Sequence, residues 1–399
     1  MNTGKPETSV KVDLAIFGGG IAGLWLLALA RKAGFNAILL ESEQLGAGQT
    51  RCAQGIIHGG TKYALTGKLS SAADKVSRMP KLWLDCISGK GELDLSKVKI
   101  LSSHQYMWST SGIGSRLSGF FASRAMHSRT QEVKHEQRPP VFQAAAFKGQ
   151  VYQLNEPVLD AMSIVQTLAE PHTQSIAKLE GVPTFDTAVA GNFCFSNGGQ
   201  QFCISANQVI LAAGKGNAAL LQALGRQSPR MQLRPLKMVM LRGDLPVLYA
   251  HCLGASVNPR ITITSHFDVH GNTVWYVGGQ LAENGPAMSD EQLIADAKKE
   301  LQQVFSWLDF SSVQWACLSI DRAEPETSDG KRPDTVFAQQ ENTVITAWPT
   351  KLALAPVLAA EVMELLRQLN IRPSGLVPLP QWQHPQMAKL PWQESNRWD

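Results

Sequence analysis

No two of the six cysteines (Cys52, Cys86, Cys194, Cys203, Cys252, Cys317) form a Cys-x-x-Cys pair, and no His-rich segment accompanies them. That spacing disfavours structural zinc and a disulfide framework, predicts no metal, and fits a reducing cytoplasm. Charge of one sign is hardly in excess, since 37 Lys and Arg against 33 Asp and Glu leave a formal net charge of +4. This is too little for a nucleic-acid partner, although it suits an anionic substrate or peripheral contact with an acidic inner-membrane surface. Long apolar runs are missing apart from one, Leu14 to Ala30. Lys5 and Lys11 ahead of it and Ala28-Leu29-Ala30 at its end imitate a secretory signal. Gly18, Gly19, Gly20 and Gly23 interrupt it, however, and Asp13 stands at its threshold, so the segment is kept in the mature fold. No other stretch approaches the ~20 apolar residues of a membrane span, and no internal repeat is visible. The 399 residues, 44% hydrophobic and 18% charged, fit an ordinary chain of about two domains.

The N-terminal pattern is compact. Val12 to Phe17 reads as a buried parallel strand, Ile21 to Lys32 as a helix closed by Gly34, and Ala37 to Leu40 as a second strand ending at Glu41. A Gly-rich connection from Gly46 to Gly60 leads to an amphipathic helix from about Leu69 to Asp85. Short strands (Val98 to Leu101, Gln105 to Trp108) and a basic helix from Ser115 to Met126 follow. Asn197-Gly198 between two apolar runs signals a hairpin. Alternation from Arg230 to Trp315 indicates a mostly antiparallel second domain with one helix, Glu291 to Phe305. Asn342 to Ala347 and the helix Ala359 to Leu369 return to α/β character. The tail from Arg372, rich in Pro, Gln and Trp, is expected to be an extended strap or partly mobile.

Gly18-x-Gly20-x-x-Gly23 ends a strand and opens a helix, the context of a dinucleotide fingerprint. Gly18 permits the tight turn, and Gly20 lets backbone approach a pyrophosphate. Gly23 lets helix pack on strand, and the helix N-terminus, through Ile21 and Ala22, offers N–H donors. Glu41, 18 residues beyond Gly23, is placed to take ribose hydroxyls beside Ser42. The fingerprint alone leaves FAD and NAD open.

Further motifs carry a family resemblance. Gly48-Gln49-Thr50, then Gln54, Gly55-Ile56-Ile57-His58-Gly59-Gly60, resembles the stretch of FAD-dependent glycerol-3-phosphate dehydrogenases and L-2-hydroxyglutarate oxidases that crosses the pyrophosphate and runs beside the flavin. Val209-Ile210-Leu211-Ala212-Ala213-Gly214 resembles the second FAD-contacting strand of the wider D-amino-acid-oxidase-like superfamily. Pro325-x-x-x-Asp329-Gly330 is similar to another segment of that superfamily. The stretch from Pro349 through Thr350, Lys351 and Leu352 to Pro356 is similar to its turn over the flavin. The resemblance spans nearly the whole chain. It implies FAD as cofactor and an α/β fold with a Rossmann-type FAD-binding domain (1–85, 146–229, 320–371). A mostly antiparallel β-sheet substrate domain (86–145, 230–319) is interleaved with it, and 372–399 form the tail.

The same resemblance implies oxidation of a CH–OH group of a small anionic molecule, a 2-hydroxyacid or polyol phosphate, by hydride transfer to flavin N5. Oxygen or a quinone would accept the electrons. A base with near-neutral pKa suits the step, and His58 is the candidate. Other readings have it only contacting the flavin or carrying a covalent histidyl link. Lys351 and Arg322 are the candidate anion holders. Many superfamily members place Arg directly before the Pro of the Pro-x-x-x-Asp-Gly segment, where Glu324 stands here. Either Arg322 swings in, or Glu324 faces the flavin and an amine substrate, as in amine or amino-acid oxidases, comes into play. A non-catalytic flavin-binding subunit, docking through its Pro/Trp-rich tail, is the reading from another class. His266 and Tyr276 are minor pocket candidates, and Cys317 is expected to be a packed thiol. Arg116, Arg124, Arg129, Lys134 and Arg138 are expected on a solvated face or against a membrane or electron acceptor.

Overall fold

The computed structural model describes residues 8–60, 75–110, 130–254 and 258–398. Its first sheet starts with β1 (Thr8–Phe17), whose interior residues are buried as a two-sided parallel strand requires. Gly20 ends the turn after it, and α1 (Ile21–Lys32) follows, apolar nearly all round and buried. β2 (Ala37–Glu41) then pairs parallel with β1, completing a βαβ-type unit.

The chain continues through α2 (Met79–Ile87), β3 (Ile100–Ser102), β4 (Gln105–Ser109), β5 (Thr130–Glu132), β6 (Val151–Leu154), β7 (Val158–Leu159) and α3 (Ala161–Ala169). After β8 (Ile176–Lys178) come β9 (Glu180–Phe185), β10 (Asn192–Asn197), β11 (Gln200–Leu211) and α4 (Asn217–Ala223). The long strands β12 (Met231–Gly243), β13 (Tyr249–Leu253), β14 (Ile261–Phe267) and β15 (Thr273–Gly278) precede α5 (Gln280–Asn284) and α6 (Asp290–Val304). β16 (Gln314–Pro325), β17 (Phe337–Glu341), β18 (Val344–Trp348) and α7 (Ala355–Gln368) close the series.

One sheet runs β17-β18-β11-β1-β2-β8, with β10 and β9 attached at β11. The pairs among β18, β11, β1, β2 and β8 are parallel. The second runs β16-β12-β15-β14-β13-β4-β6-β5 and is antiparallel except at β13/β4. The architecture is therefore α/β, a Rossmann-type sheet interleaved with an antiparallel one. Trp25 of α1 meets Trp83 of α2 at 4.8 Å, and α3 and α7 share this helical layer and its core.

Several expectations shift. β6 falls within 146–229 yet pairs with β4 in the second sheet, and β16 carries that sheet to Pro325, beyond residue 319. Composition places such boundaries poorly because strand pairing, not local sequence, decides membership. The helix expected from Leu69 is described from Met79 for its regular part, and residues 69–74 lie outside the described residues. So do the basic helix, Arg116, Arg124 and Arg129. The Asn197-Gly198 hairpin sets Cys194 opposite Cys203, and the two form a disulfide, so thiols are not kept throughout.

The tail is a strap packed on its own chain. Ser374 donates from backbone and hydroxyl to buried Asp13, at 2.9 and 3.0 Å. Leu45 N–H donates to Gln386 O and Leu45 O accepts Ala388 N–H, and Trp382, Trp392 and Trp398 are buried. This removes the exposed Trp-rich tail on which the docking-subunit reading stood. Among the described residues no helix is long and apolar enough to cross a membrane.

Candidate active site

The β1–α1 turn tolerates only glycine at two points. Gly18 adopts φ 110°, and a Cβ there would lie 2.5 Å from Ala213 Cα. A Cβ on Gly23 would lie 2.0 Å from Gly18 O, which is the close helix–strand approach the fingerprint demands. The tip of the next loop docks on the helix start, where Ile21 N–H donates to Thr50 Oγ1 at 3.1 Å. Glu41, at the end of β2, accepts Gly19 N–H at 2.5 Å and Glu43 N–H at 2.6 Å. Burial raises its carboxyl above the ordinary range, partly opposed by those two donors.

Residues 46–60 then cross from one sheet to the other. Gln49 Oε1 accepts Ala323 N–H at 3.0 Å, and Gln54 Nε2 donates to Tyr276 O at 3.0 Å. Gly55, at φ 75°, would place a Cβ 1.9 Å from Leu159 O. Leu159 N–H donates to Gly55 O, and Ile57 N–H to Pro157 O, so 55–57 run antiparallel to 157–159. That pairing delivers His58 to Glu156, with Nδ1 3.3 Å from Oε2, while Gly59 N–H donates to Oε1 at 2.7 Å.

A cavity of about 1250 Å3 joins these parts. Of the sequence-derived cofactor residues, Gly18, Gly20, Ile21, Ala22, Glu41, Ser42, Gly48, Gln49, Thr50, Gln54, Gly55, Ile56, Ala213, Gly214, Thr350, Lys351 and Leu352 line it. Gly23 and Ile57 do not; the first is packed under the turn and the second is in the core. His58 lines the cavity together with Glu156, His251, Met107, Leu253 and Asn258. The volume exceeds the ~300–1000 Å3 usual for drug-sized ligands. With a helix N-terminus and a terminal carboxylate at one end, the lining fits a dinucleotide as large as FAD. Thr350 holds φ 59°, with its hydroxyl on Thr335 O at 3.1 Å, and so turns the chain into the cavity beside Lys351.

Arg322 lines the cavity with its guanidinium already engaged. It donates to both oxygens of Glu283, at 2.8 and 2.9 Å, and to the carbonyls of Arg234 and Pro235. An anion would have to displace Glu283, so the expected anion-holding role is dropped for Arg322. Glu324 is buried against Arg234, at 2.8 and 3.1 Å, and is not part of the cavity wall. Glu324 therefore faces no substrate and gives no ground for an amine. His266 and Tyr276 are buried outside the cavity wall, the first stacked on Trp392 at 3.8 Å and the second donating its hydroxyl to Cys52 O. Cys317 touches the cavity, but burial pushes its thiol up to about 11. Lys134 and Arg138 lie away from it, and Arg138 sits over the Phe147 ring.

Sequence reading does not single out Glu156, and it discounts His251 with the other histidines of the second domain. Glu156 had one signal, a lone carboxylate between the apolar runs Val151–Leu154 and Val158–Leu159. His251 sits in a fully buried strand, where a histidine reads as core.

The family described as FAD dependent oxidoreductase (DAO) matches residues 13–347. A probable FAD-dependent oxidoreductase of Pseudomonas aeruginosa, PA4991, is 44% identical over 388 residues, covering 96% of this chain and 98% of the relative. Its crystal structure superposes with a TM-score of 0.84 at 40% identity, covering 97% of this chain and 99% of that one. Glycine oxidase of Geobacillus kaustophilus superposes at 0.62 with 18% identity, covering 90% and 95%. L-alpha-glycerophosphate oxidase of Mycoplasma pneumoniae, with FAD bound, does so at 0.62 with 14% identity, covering 95% and 99%. The last two share the fold. On its sequence, its fold and its dinucleotide cavity, the chain belongs to the FAD-dependent oxidoreductases of the DAO family.

Proposed function

We propose that the chain oxidises the CH–OH group of a small anionic molecule, of the 2-hydroxyacid or polyol phosphate class. The observation that carries this is His58, held against buried Glu156 inside the cavity that the FAD-binding residues line. Bound FAD supplies the two-electron acceptor for the hydride. An alcohol holds its O–H proton far more tightly than neutral water chemistry can remove it, so its oxidation needs a base within hydrogen-bond reach. An ammonium substrate also sheds a proton first, but with a pKa of about 8–10 it gives that proton up to water far more readily than an alcohol does. An imidazole backed by a carboxylate is therefore machinery that an alcohol substrate requires. In this reading His58 takes the hydroxyl proton and Lys351 holds the anionic group. Oxygen or a quinone reoxidises the enzyme.

Anaerobic bleaching of bound FAD by panels of 2-hydroxyacids, polyol phosphates and amino acids tests this. Hydroxylated anions should bleach it, and K351A should raise the half-saturating concentration about 10–100-fold, as for a lost charge-assisted contact of ~1.5–3 kcal/mol. Bleaching by amines alone would overturn the reading.

A further inference from the structure

Among the described residues, three donors from separate parts of the chain meet on one buried carboxylate. Glu156 Oε1 accepts Gly59 N–H at 2.7 Å, while Oε2 accepts Gln105 Nε2–H at 2.6 Å and faces His58 Nδ1 at 3.3 Å. An ionised carboxylate only accepts, so the imidazole nitrogen turned toward it has to carry a proton. Gln105 points the same way. It is fully buried at the head of β4, turns its amide N–H to Glu156 and leaves Oε1 without a partner. A protonated Glu156 would favour the opposite amide rotation, with the oxygen toward the acid. His251 holds the other side. Its ring lies over that of His58, with centroids 5.7 Å apart and planes at 25°, and its Nδ1 is bonded to Thr262 Oγ1 at 2.8 Å. One carboxylate fixes the edge of the His58 ring and a second imidazole covers its face.

We propose that Glu156 is a positioning residue that fixes His58 as the Nδ1–H tautomer. Nε2 then carries the lone pair that receives the substrate's hydroxyl proton, and the imidazolium so formed is neutralised by Glu156, which stays ionised. This rests on the reading of His58 as the base. Position follows from the fold, because the 55–57 pairing with 157–159 sets Glu156 beside His58 whatever the substrate.

Long-range 1H–15N correlation on the FAD-loaded enzyme, with 15N-labelled histidine and His58 assigned through H58Q, reads the tautomer directly. In the wild type, Nδ1 should be protonated and Nε2 bare. E156Q still offers an oxygen to Gly59 N–H, and it should shift His58 toward the Nε2–H form, because the amide N–H2 in place of Oε2 donates to a bare Nδ1. Flavin reduction by whichever alcohol bleaches the wild type should slow roughly 10–100-fold in E156Q. E156D, which keeps the charge, should retain the Nδ1–H form. An Nε2–H tautomer in the wild type overturns the proposal with no variant needed, and so does an unchanged tautomer in folded E156Q. Failure of the base reading shows separately, as unimpaired flavin reduction in H58Q, and overturns the catalytic half of the role whatever the tautomer.

Discussion

At the scale of single residues, the site depends on backbone positions more than on reactive side chains. Gly55 is the sharpest case, because its φ of 75° and the 1.9 Å approach of Leu159 O to a would-be Cβ leave no room for alanine. G55A has to open the pairing with Leu159, which carries His58 away from Glu156. A loss of about 1–3 kcal/mol is expected from the positive φ alone, seen as a lower urea midpoint of the FAD-loaded enzyme. A variant with unchanged midpoint and unchanged flavin reduction would show that the loop is not held this way. The contrast with Gly18 and Gly23 explains what was legible in the sequence. Those glycines, Glu41 and the intervening helix serve one backbone demand within about thirty consecutive residues, so the spacing exposes them. The His58–Glu156 contact joins residues 98 apart and depends on a three-residue pairing that has no local signature. Arg322 shows the converse failure: its position was readable, but the Glu283 that occupies it, 39 residues away, was not.

Among the elements, the C-terminal strap departs most from its composition. Its Pro, Gln and Trp content leaves an extended strap and a mobile tail both open, and its tryptophans decide for the strap by finding partners across the molecule, while Arg51 of the 46–60 loop bonds to Lys389 O and Glu394. Trp392 covers His266, whose Nε2 lies 3.0 Å from Thr264 Oγ1. Burial, with a smaller contribution from Lys99, pushes this imidazole from its ordinary 6.5 down to about 3. The folded value is the lower one, so below pH 6.5 the unfolded chain takes a proton that the folded chain refuses. Stability is therefore full above pH 6.5 and declines as pH falls toward 3. Between pH 7 and pH 5 the loss from this group is about 2 kcal/mol. Replacing the imidazole in H266F should remove that share. Urea unfolding of both proteins at pH 7 and pH 5 measures it, and an equal pH effect in the two would mean that His266 is not held neutral under the strap.

For the whole molecule, the cavity wall is contributed by both sheets. Gly18 and Ala213 follow strands of the first, while Met238 and Leu318 belong to β12 and β16 of the second. Gln54 already ties the 46–60 loop to the second sheet through Tyr276 O. A ligand filling such a cavity stabilises whatever unfolds with it, by RT ln(1 + [L]/Kd) for free ligand, or about 1.4 kcal/mol per tenfold rise in FAD above Kd. How far that moves the melting temperature depends on the size of the cooperative unit. If all 399 residues melt together, with about 2.1 cal/mol/K of unfolding entropy per residue, each tenfold rise in FAD shifts the midpoint by only about 1.5–2 °C. A Rossmann half melting alone would shift by roughly twice as much and leave a second transition insensitive to FAD. Because the 46–60 loop and the strap each bond to or pack on elements of both sheets, one transition with the smaller slope is expected. Calorimetric scans of apoprotein across a FAD series check this, and two transitions with only one responding to FAD would mean that the sheets fold as separate units.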